Sequence, residues 1–340
     1  LVRAAFEISA MTHHDPDAGE ACALWCLAIR HAILEGTLDL RAGLARLPAD
    51  RASVWTARLD DAERSGPAGY PHNGWVVQAL QGAWSAITTT ADDRDALSST
   101  ADSSSAGPAH FRRALEAAVR GGYDTDTVAA IAGGLVGGLY GASAVPAQWR
   151  RDVHGWPGLR ARDLVALAVM TARGGHPDSA AWPAGAQVDY SAYKGSGVVA
   201  RHPHDQGVWL GGVDALKNLP DGVDAVVSLC RLGDAQVPAP GVAAGDHLEV
   251  WLIDEPDRAK NPNLDFVLTD AAAAVAALRA EGRTVLLHCV QAQSRTPAVA
   301  ALYGARLTGR TTADALADIV HVLPNADPNS GLREALKRLG

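Results

Sequence analysis

Lysine is scarce in this chain of 340 residues, cysteine occurs only four times, and no long apolar run is present. Four cysteines in a chain of this length do not make a disulfide framework, so a reducing compartment is expected. No apolar stretch reaches the roughly 18 residues that a membrane-spanning helix needs, and no charged-then-apolar leader opens the sequence. The expected location is therefore cytoplasmic, with no membrane partner. A formal net charge of −8 argues against a nucleic-acid or anionic-lipid surface. What is present is globular: 48% hydrophobic and 20% charged residues, with alanine and glycine abundant. Single cores stop growing near ~250–300 residues, so the length predicts two domains.

The first half reads as helix. Val2, Ala5, Phe6 and Ile8 open an amphipathic pattern, and a second helix is predicted from Pro16 to Leu34, closed by Gly36. Cys22 and Cys26 share a face of that helix, but no further ligand has suitable spacing and both read as small core residues. Residues 37–65 are polar and weakly helical. Asn73 is the expected N-cap of a strong helix reaching Ile87, with Val76, Leu80, Ala83, Trp84 and Ile87 as its apolar stripe. A polar loop is expected over 88–108, then helix from His110 to Arg120. Gly121-Gly122-Tyr123-Asp124-Thr125-Asp126-Thr127 follows, leading into a helix of small apolar residues. Two carboxylates and a hydroxyl at that helix start suit a hard cation, and equally suit an N-cap with dipole-favoured acids.

Beyond a Gly/Pro-rich linker at 174–189, the period changes. Val208–Leu210, Ala225–Cys230, Leu248–Ile253 and Val285–Leu287 read as strands, alternating with helices at Asn263–Arg279, Ala298–Leu307, Thr311–Leu323 and Gly331–Leu339. That alternation predicts an α/β layer around a central sheet. Cys230 reads as core, and the scattered His154, His176, His202 and His204 are assigned no role.

The most informative stretch is Val285 to Thr296: an apolar strand, His288-Cys289, five residues, then Arg295-Thr296-Pro297 and a helix. Backbone N–H groups converge at such a strand–loop–helix junction, the helix dipole favours an anion, and a thiol there ionises readily. An arginine fork adds bidentate phosphate recognition. The stretch resembles the phosphate loop of the protein tyrosine and dual-specificity phosphatases. The resemblance covers about 190–340 and implies Cys289 as nucleophile, Arg295 as phosphate ligand, and a Thr296 hydroxyl that helps the thiolate leave. Val290, Gln291, Ala292, Gln293 and Ser294 would line the phosphate, and His288 would orient the loop. Ala292 stands where the family usually has glycine, and a side chain resists positive φ. Asp254 follows its strand as the family's general acid does; Asp257 and Asp265 are alternatives. The implied substrate is a phosphorylated protein or a small phosphomonoester.

Gly122 to Gly134, with Thr12-His13-His14-Asp15-Pro16 and Asn73-Gly74-Trp75-Val76-Val77 in the right order, resembles the ADP-ribosylglycohydrolases over about 1–170. This implies an all-α domain in which Asp124, Asp126 and Thr127 bind a pair of Mg²⁺ ions and His13 lies near ADP-ribose, the ligand being ADP-ribose or an ADP-ribosylated protein. The family's second metal motif, Thr-Asp-Asp-Thr-like, has no counterpart; Thr90-Ala91-Asp92-Asp93 falls after the segments it should precede. The expectation is an N-terminally incomplete helical domain over 1–173, a linker over 174–189 and a phosphatase-like domain over 190–340.

Overall fold

The computed structural model describes residues 1–91, 106–176, 188–195 and 197–340. Most of the expected polar loop, with Asp92 and Asp93, and most of the expected linker lie outside the described residues. The chain forms two compact units, Leu1–Val145 and Pro146–Gly340. The first is helical and the second α/β, as the sequence predicts. No helix among the described residues is long and apolar enough to cross a membrane.

The helical unit contains α1 (Val2–Ala10), α2 (Pro16–Glu35), α3 (Ala49–Arg64), α4 (Val76–Thr89), α5 (Ala106–Arg120) and α6 (Thr125–Tyr140). Local chemistry sets the ends of α2. Asp15 accepts a hydrogen bond from the Asp17 N–H, Pro16 occupies the first turn, and Gly36 closes the helix at φ 69°. The small residues of α6 let it pack against α2, α4 and α5. Residues 49–64 form a complete helix where only weak propensity was expected. Trp55, Leu59 and Ala62 supply its buried stripe, and packing of one face outweighs propensity. Buried Glu20 on α2 accepts from Trp55 Nε1 at 2.7 Å and from Arg51.

Asn73 is not the N-cap of α4. Trp75 holds that position without a side-chain bond. The Asn73 side chain instead turns across the unit, donating to the Gly122 carbonyl (3.0 Å) and accepting from the Asp124 N–H (2.9 Å).

The α/β unit opens with α7 (Ala147–Asp152), the hairpin β1 (His154–Gly155) and β2 (Leu159–Arg160), and α8 (Ala161–Ala172). The sequence assigns these to the first domain, but their arginines tie them to the second unit. Arg151 pairs with Asp246 and Glu281, and Arg162 donates to the Val237 and Leu232 carbonyls. The central sheet has the order β3-β4-β7-β5-β6, built from β3 (Val199–His202), β4 (Asp205–Gly211), β5 (Ala225–Ser228), β6 (His247–Glu249) and β7 (Val285–His288). All neighbours pair parallel except the edge strand β3, which the sequence reading misses. Expected strand Leu248–Ile253 is shorter than predicted, since β6 ends at Glu249.

The remaining helices are α9 (Leu264–Ala280), α10 (Arg295–Thr308), α11 (Thr312–Val322) and α12 (Ser330–Leu339). Strand alternation divides the sheet into two faces. Val285, Leu287, Val227 and Leu248 join α9 and α10 in the larger core. Val226 and Leu286 turn the other way, into a smaller core under the 213–242 segments. By register, Ser228, His247 and His288 share that second face.

Leu210, fully buried in β4, tests this layering. Leu210→Ala should destabilise the α/β unit by about 2–5 kcal/mol, read as faster amide exchange in β4 and β7 with α2 unchanged.

Candidate functional site

Strand β7 is buried along its length and delivers Cys289 to the carboxyl end of the sheet, where α10 begins six residues later. Planar trans peptides put each carbonyl opposite the following N–H. Three loop carbonyls are held outward: Cys289 by His288 Nδ1 (3.1 Å), Val290 by the Val213 N–H (3.0 Å) and Gln293 by the Asp327 N–H (2.6 Å). The N–H groups of Val290, Gln291 and Ser294 are thereby turned to the opposite side. Among the described residues, no backbone N–H from Val290 to Ser294 has a hydrogen-bond partner. A ring of unpaired donors at a helix N-terminus is a cradle for an oxyanion. Gly212 permits the close approach on one side, because a Cβ there would lie 2.9 Å from the Val290 oxygen.

Ala292 takes φ 57° and is buried. The loop keeps the left-handed turn despite the methyl group, at a strain of roughly 1–2 kcal/mol. Surrounding ties over-determine the conformation, so the departure from glycine does not open the loop.

Arg295 is buried. Its Nη1 donates to the carbonyls of Leu229 (2.8 Å) and Leu252 (3.1 Å), which fixes the guanidinium beside the loop. Its Nε is buried without a hydrogen-bond partner and lies 3.6 Å from Asp254 Oδ2. Asp254 itself is exposed. Its Oδ1 accepts from Ser294 Oγ (2.6 Å) and Asn329 Nδ2 (2.9 Å), so the carboxylate is tied to the phosphate loop and to the cap of α12. Asn261 clasps the same loop from below through the Ile253 N–H and carbonyl. A cavity of about 510 Å³ is lined by Asp254, Cys289, Arg295, Asn325, Asp327 and the loop residues.

The other acid candidates are engaged elsewhere. Asp257 caps the short helical turn at Arg258–Lys260, and Asp265 forms a bidentate pair with Arg338 at 2.7 and 2.9 Å. Thr296 is fully buried with its hydroxyl 3.5 Å from the Gly211 carbonyl. Cys230 is core, and burial pushes its thiol up to about 12. His154 bonds the Asp152 carbonyl, His202 the Ala300 carbonyl and His204 the Asp318 carboxylate, none of them a loop residue. Ser228, His247, Asn261 and Asn329 escape the sequence reading, because none sits in a motif; alternation along the strands would place only the first two near His288.

His288 is fully buried. Its Nε2 meets Ser228 Oγ at 2.6 Å, and Ser228 Oγ meets His247 Nε2 at 2.8 Å. Desolvation holds His288 down to about 4 and His247 down to about 3, so both imidazoles are neutral at pH 7.

In the helical unit, Gly122 at φ 84° and Tyr123 at φ 62° make the turn into α6, with Asp124 at the N-cap and Asp126 and Thr127 exposed in the first turn. His13 is exposed and bonds the Thr12 hydroxyl at 2.9 Å. Among the described residues no three His, Cys, Asp or Glu side chains come together as a metal cluster. Two carboxylates and a hydroxyl do not make up the donors that a pair of Mg²⁺ ions requires. The described residues therefore do not fit the dinuclear site that the sequence resemblance implies.

The sequence profile of the ADP-ribosylglycohydrolase family matches residues 1–179. The chain belongs to that family. Several solved phosphatases are similar to its C-terminal part. Human DUSP28 is 26% identical, covering 42% of this chain and 91% of that one, with a TM-score of 0.36. A mouse dual specificity phosphatase complexed with zinc tungstate gives 26%, 42%, 85% and 0.35 in the same order. The Cydia pomonella PTP-2 phosphatase gives 25%, 42%, 89% and 0.36. No curated protein matches the chain.

Two outcomes follow from this geometry. Ala292→Gly should stabilise the α/β unit by up to about 1 kcal/mol, since relief of positive-φ strain exceeds the ~0.8 kcal/mol lost with a buried methyl; denaturant midpoints check it, and a fall would show that the methyl's packing holds the loop. The depressed histidines also set a pH dependence. Both bind protons in the unfolded chain below about 6.5 but not in the folded one until about 4 and 3. Their contribution is fully present above 6.5 and is lost as pH falls through 4 and 3, with uptake of about two protons on unfolding near pH 5. Unfolding midpoints between pH 7 and 4.5 should decline, and more steeply than in Ser228→Ala.

Proposed function

We propose that the α/β unit hydrolyses phosphate monoesters through a cysteinyl-phosphate, in a chain whose helical half handles ADP-ribosyl groups. One observation carries the phosphatase reading: Cys289 and Arg295 flank a loop whose N–H groups are free because its carbonyls are tied outward. A tetrahedral phosphate placed there would meet converging donors and a guanidinium.

In this reading the Cys289 thiolate attacks phosphorus as the ester P–O bond breaks. Asp254, entering protonated, gives its proton to the leaving oxygen. Its Oδ1 is held by Ser294 and Asn329, which keeps the carboxyl group beside the loop where the leaving oxygen would lie. Water then attacks the cysteinyl-phosphate, the Asp254 carboxylate takes the water's proton, and phosphate leaves with the thiolate restored. By the phosphatase resemblance, the Thr296 hydroxyl is the group that stabilises that thiolate. The substrate class is a phosphorylated protein or a small phosphomonoester.

For the helical half, the family supports recognition or hydrolysis of an ADP-ribosyl bond. The incomplete donor set around Asp124, Asp126 and Thr127 is the observation that keeps a binding role beside a Mg²⁺-dependent one. ADP-ribose release that needs Mg²⁺ and stops with chelator would support hydrolysis; ADP-ribose binding without release would support a docking module.

The purified chain should release p-nitrophenol from p-nitrophenyl phosphate in the presence of chelator, and Cys289→Ser should abolish it. Asp254→Asn should lower kcat by roughly 10²–10⁴ on alkyl phosphates, which need leaving-group protonation, and far less on p-nitrophenyl phosphate. Asp257→Asn should change kcat less than about twofold, because that side chain serves a turn. Turnover surviving in Cys289→Ser would sink the cysteinyl-phosphate reading.

A further inference from the structure

Behind the phosphate loop lies a chain of buried hydrogen bonds that no motif marks. The Ala239 N–H donates to His247 Nδ1 at 3.0 Å, and a backbone N–H can only donate. His247 Nδ1 is therefore the acceptor, and its proton sits on Nε2, facing Ser228 Oγ at 2.8 Å. At the other end, the Cys289 carbonyl can only accept, so His288 carries its proton on Nδ1 and presents a bare Nε2. Ser228 Oγ, 2.6 Å from that nitrogen, receives from His247 and donates to His288. Every donor and acceptor is matched once, in one direction: Ala239 to His247 to Ser228 to His288 to Cys289.

We propose that His247 and Ser228 are positioning residues of the phosphate loop: they select the Nδ1–H tautomer of His288 and so fix the Cys289 carbonyl outward and the Val290 N–H into the oxyanion cradle. The inference rests on the phosphatase reading for its catalytic consequence, though not for the tautomer. Three strands meet in it, since β6 supplies His247, β5 supplies Ser228 and β7 supplies His288. Without Ser228 the His288 ring loses the donor that makes Nε2 the acceptor, and the other neutral tautomer would leave the Cys289 carbonyl unmatched. That carbonyl is then free to rotate, taking the Val290 N–H with it. Both imidazoles are neutral at pH 7, as a chain with one proton per link requires.

The test reads His288 directly in the full-length chain. With ¹⁵N-labelled histidine at pH 7, the wild type should show His288 protonated on Nδ1 and His247 on Nε2. Ser228→Ala should mix the His288 tautomers and lower kcat on p-nitrophenyl phosphate roughly three- to tenfold, the worth of one net hydrogen bond, with KM changed less than about twofold. His247→Phe should do the same. His247→Gln, which keeps an N–H toward Ser228, should restore most of kcat. A purely structural role would lower thermal midpoints without altering the tautomer or separating Gln from Phe. If His288 stays on Nδ1 in Ser228→Ala, or if kcat is unchanged in a folded Ser228→Ala, the proposal is overturned. Should the wild type itself fail to turn over, the phosphatase reading falls separately. The ¹⁵N spectra, with inorganic phosphate titrated as ligand, then decide the chain: weaker phosphate binding in Ser228→Ala supports it, and equal binding overturns it.

Discussion

The guanidinium of Arg295 is the contact on which the α/β unit's working end depends. One nitrogen bonds the carbonyls of Leu229, which directly follows β5, and Leu252, three residues past the end of β6. Those two bonds join the first turn of α10 to the chain just beyond β5 and β6, which end level because Ser228 and Glu249 pair in register. A lysine could supply the charge but not the planar fork. With the arginine in place, the loop before it has a fixed span to cross, and Ala292 is held in a left-handed conformation that its side chain would otherwise avoid.

Sheet polarity accounts for where this end lies. Four parallel strands point their carboxyl ends to one side, and ligand crevices in such sheets form there. Cys289, Leu229, Val250 and Gly212 each follow directly from one of these strands, so groups far apart in sequence converge without long connections. The two faces of the sheet do different work. The larger core under α9 and α10 gathers the aliphatic side chains of Val227, Leu248, Val285 and Leu287, whereas the opposite face admits a row of polar side chains at Ser228, His247 and His288. Such a row is tolerable only when each group is matched, because an unpaired buried polar group is costly.

Much of this was legible beforehand. The helical first half, the α/β second half, and the strand–loop–helix at Val285–Leu307 all follow from period and punctuation. Asp254 stands out as a candidate because it directly follows an apolar stretch, where the resembled phosphatases carry their acid, although that stretch is less strand than it reads: Val250 to Ile253 run alongside without full pairing. What was hidden was long-range. Asn73 looks like a cap, and only the fold shows it clasping Gly122 and Asp124 some fifty residues on. Helix α3 reads weakly because its apolar residues are mostly alanine, and only burial of Trp55, Leu59 and Ala62 gives it a face. The affiliation of α7 and α8 rests on arginine pairs with partners about 70 to 130 residues away, which no local pattern encodes. Strand β3 was missed because it is short and only partly buried.

The tether on Asp254 has a kinetic meaning. An acid carried on an exposed loop commonly has to be brought to its substrate at each turnover, and loop motion then limits the rate. Here Ser294 and Asn329 tie the carboxyl group to the phosphate loop. In the proposed reaction its orientation is settled when the chain folds, and the ordering entropy does not recur at each turnover.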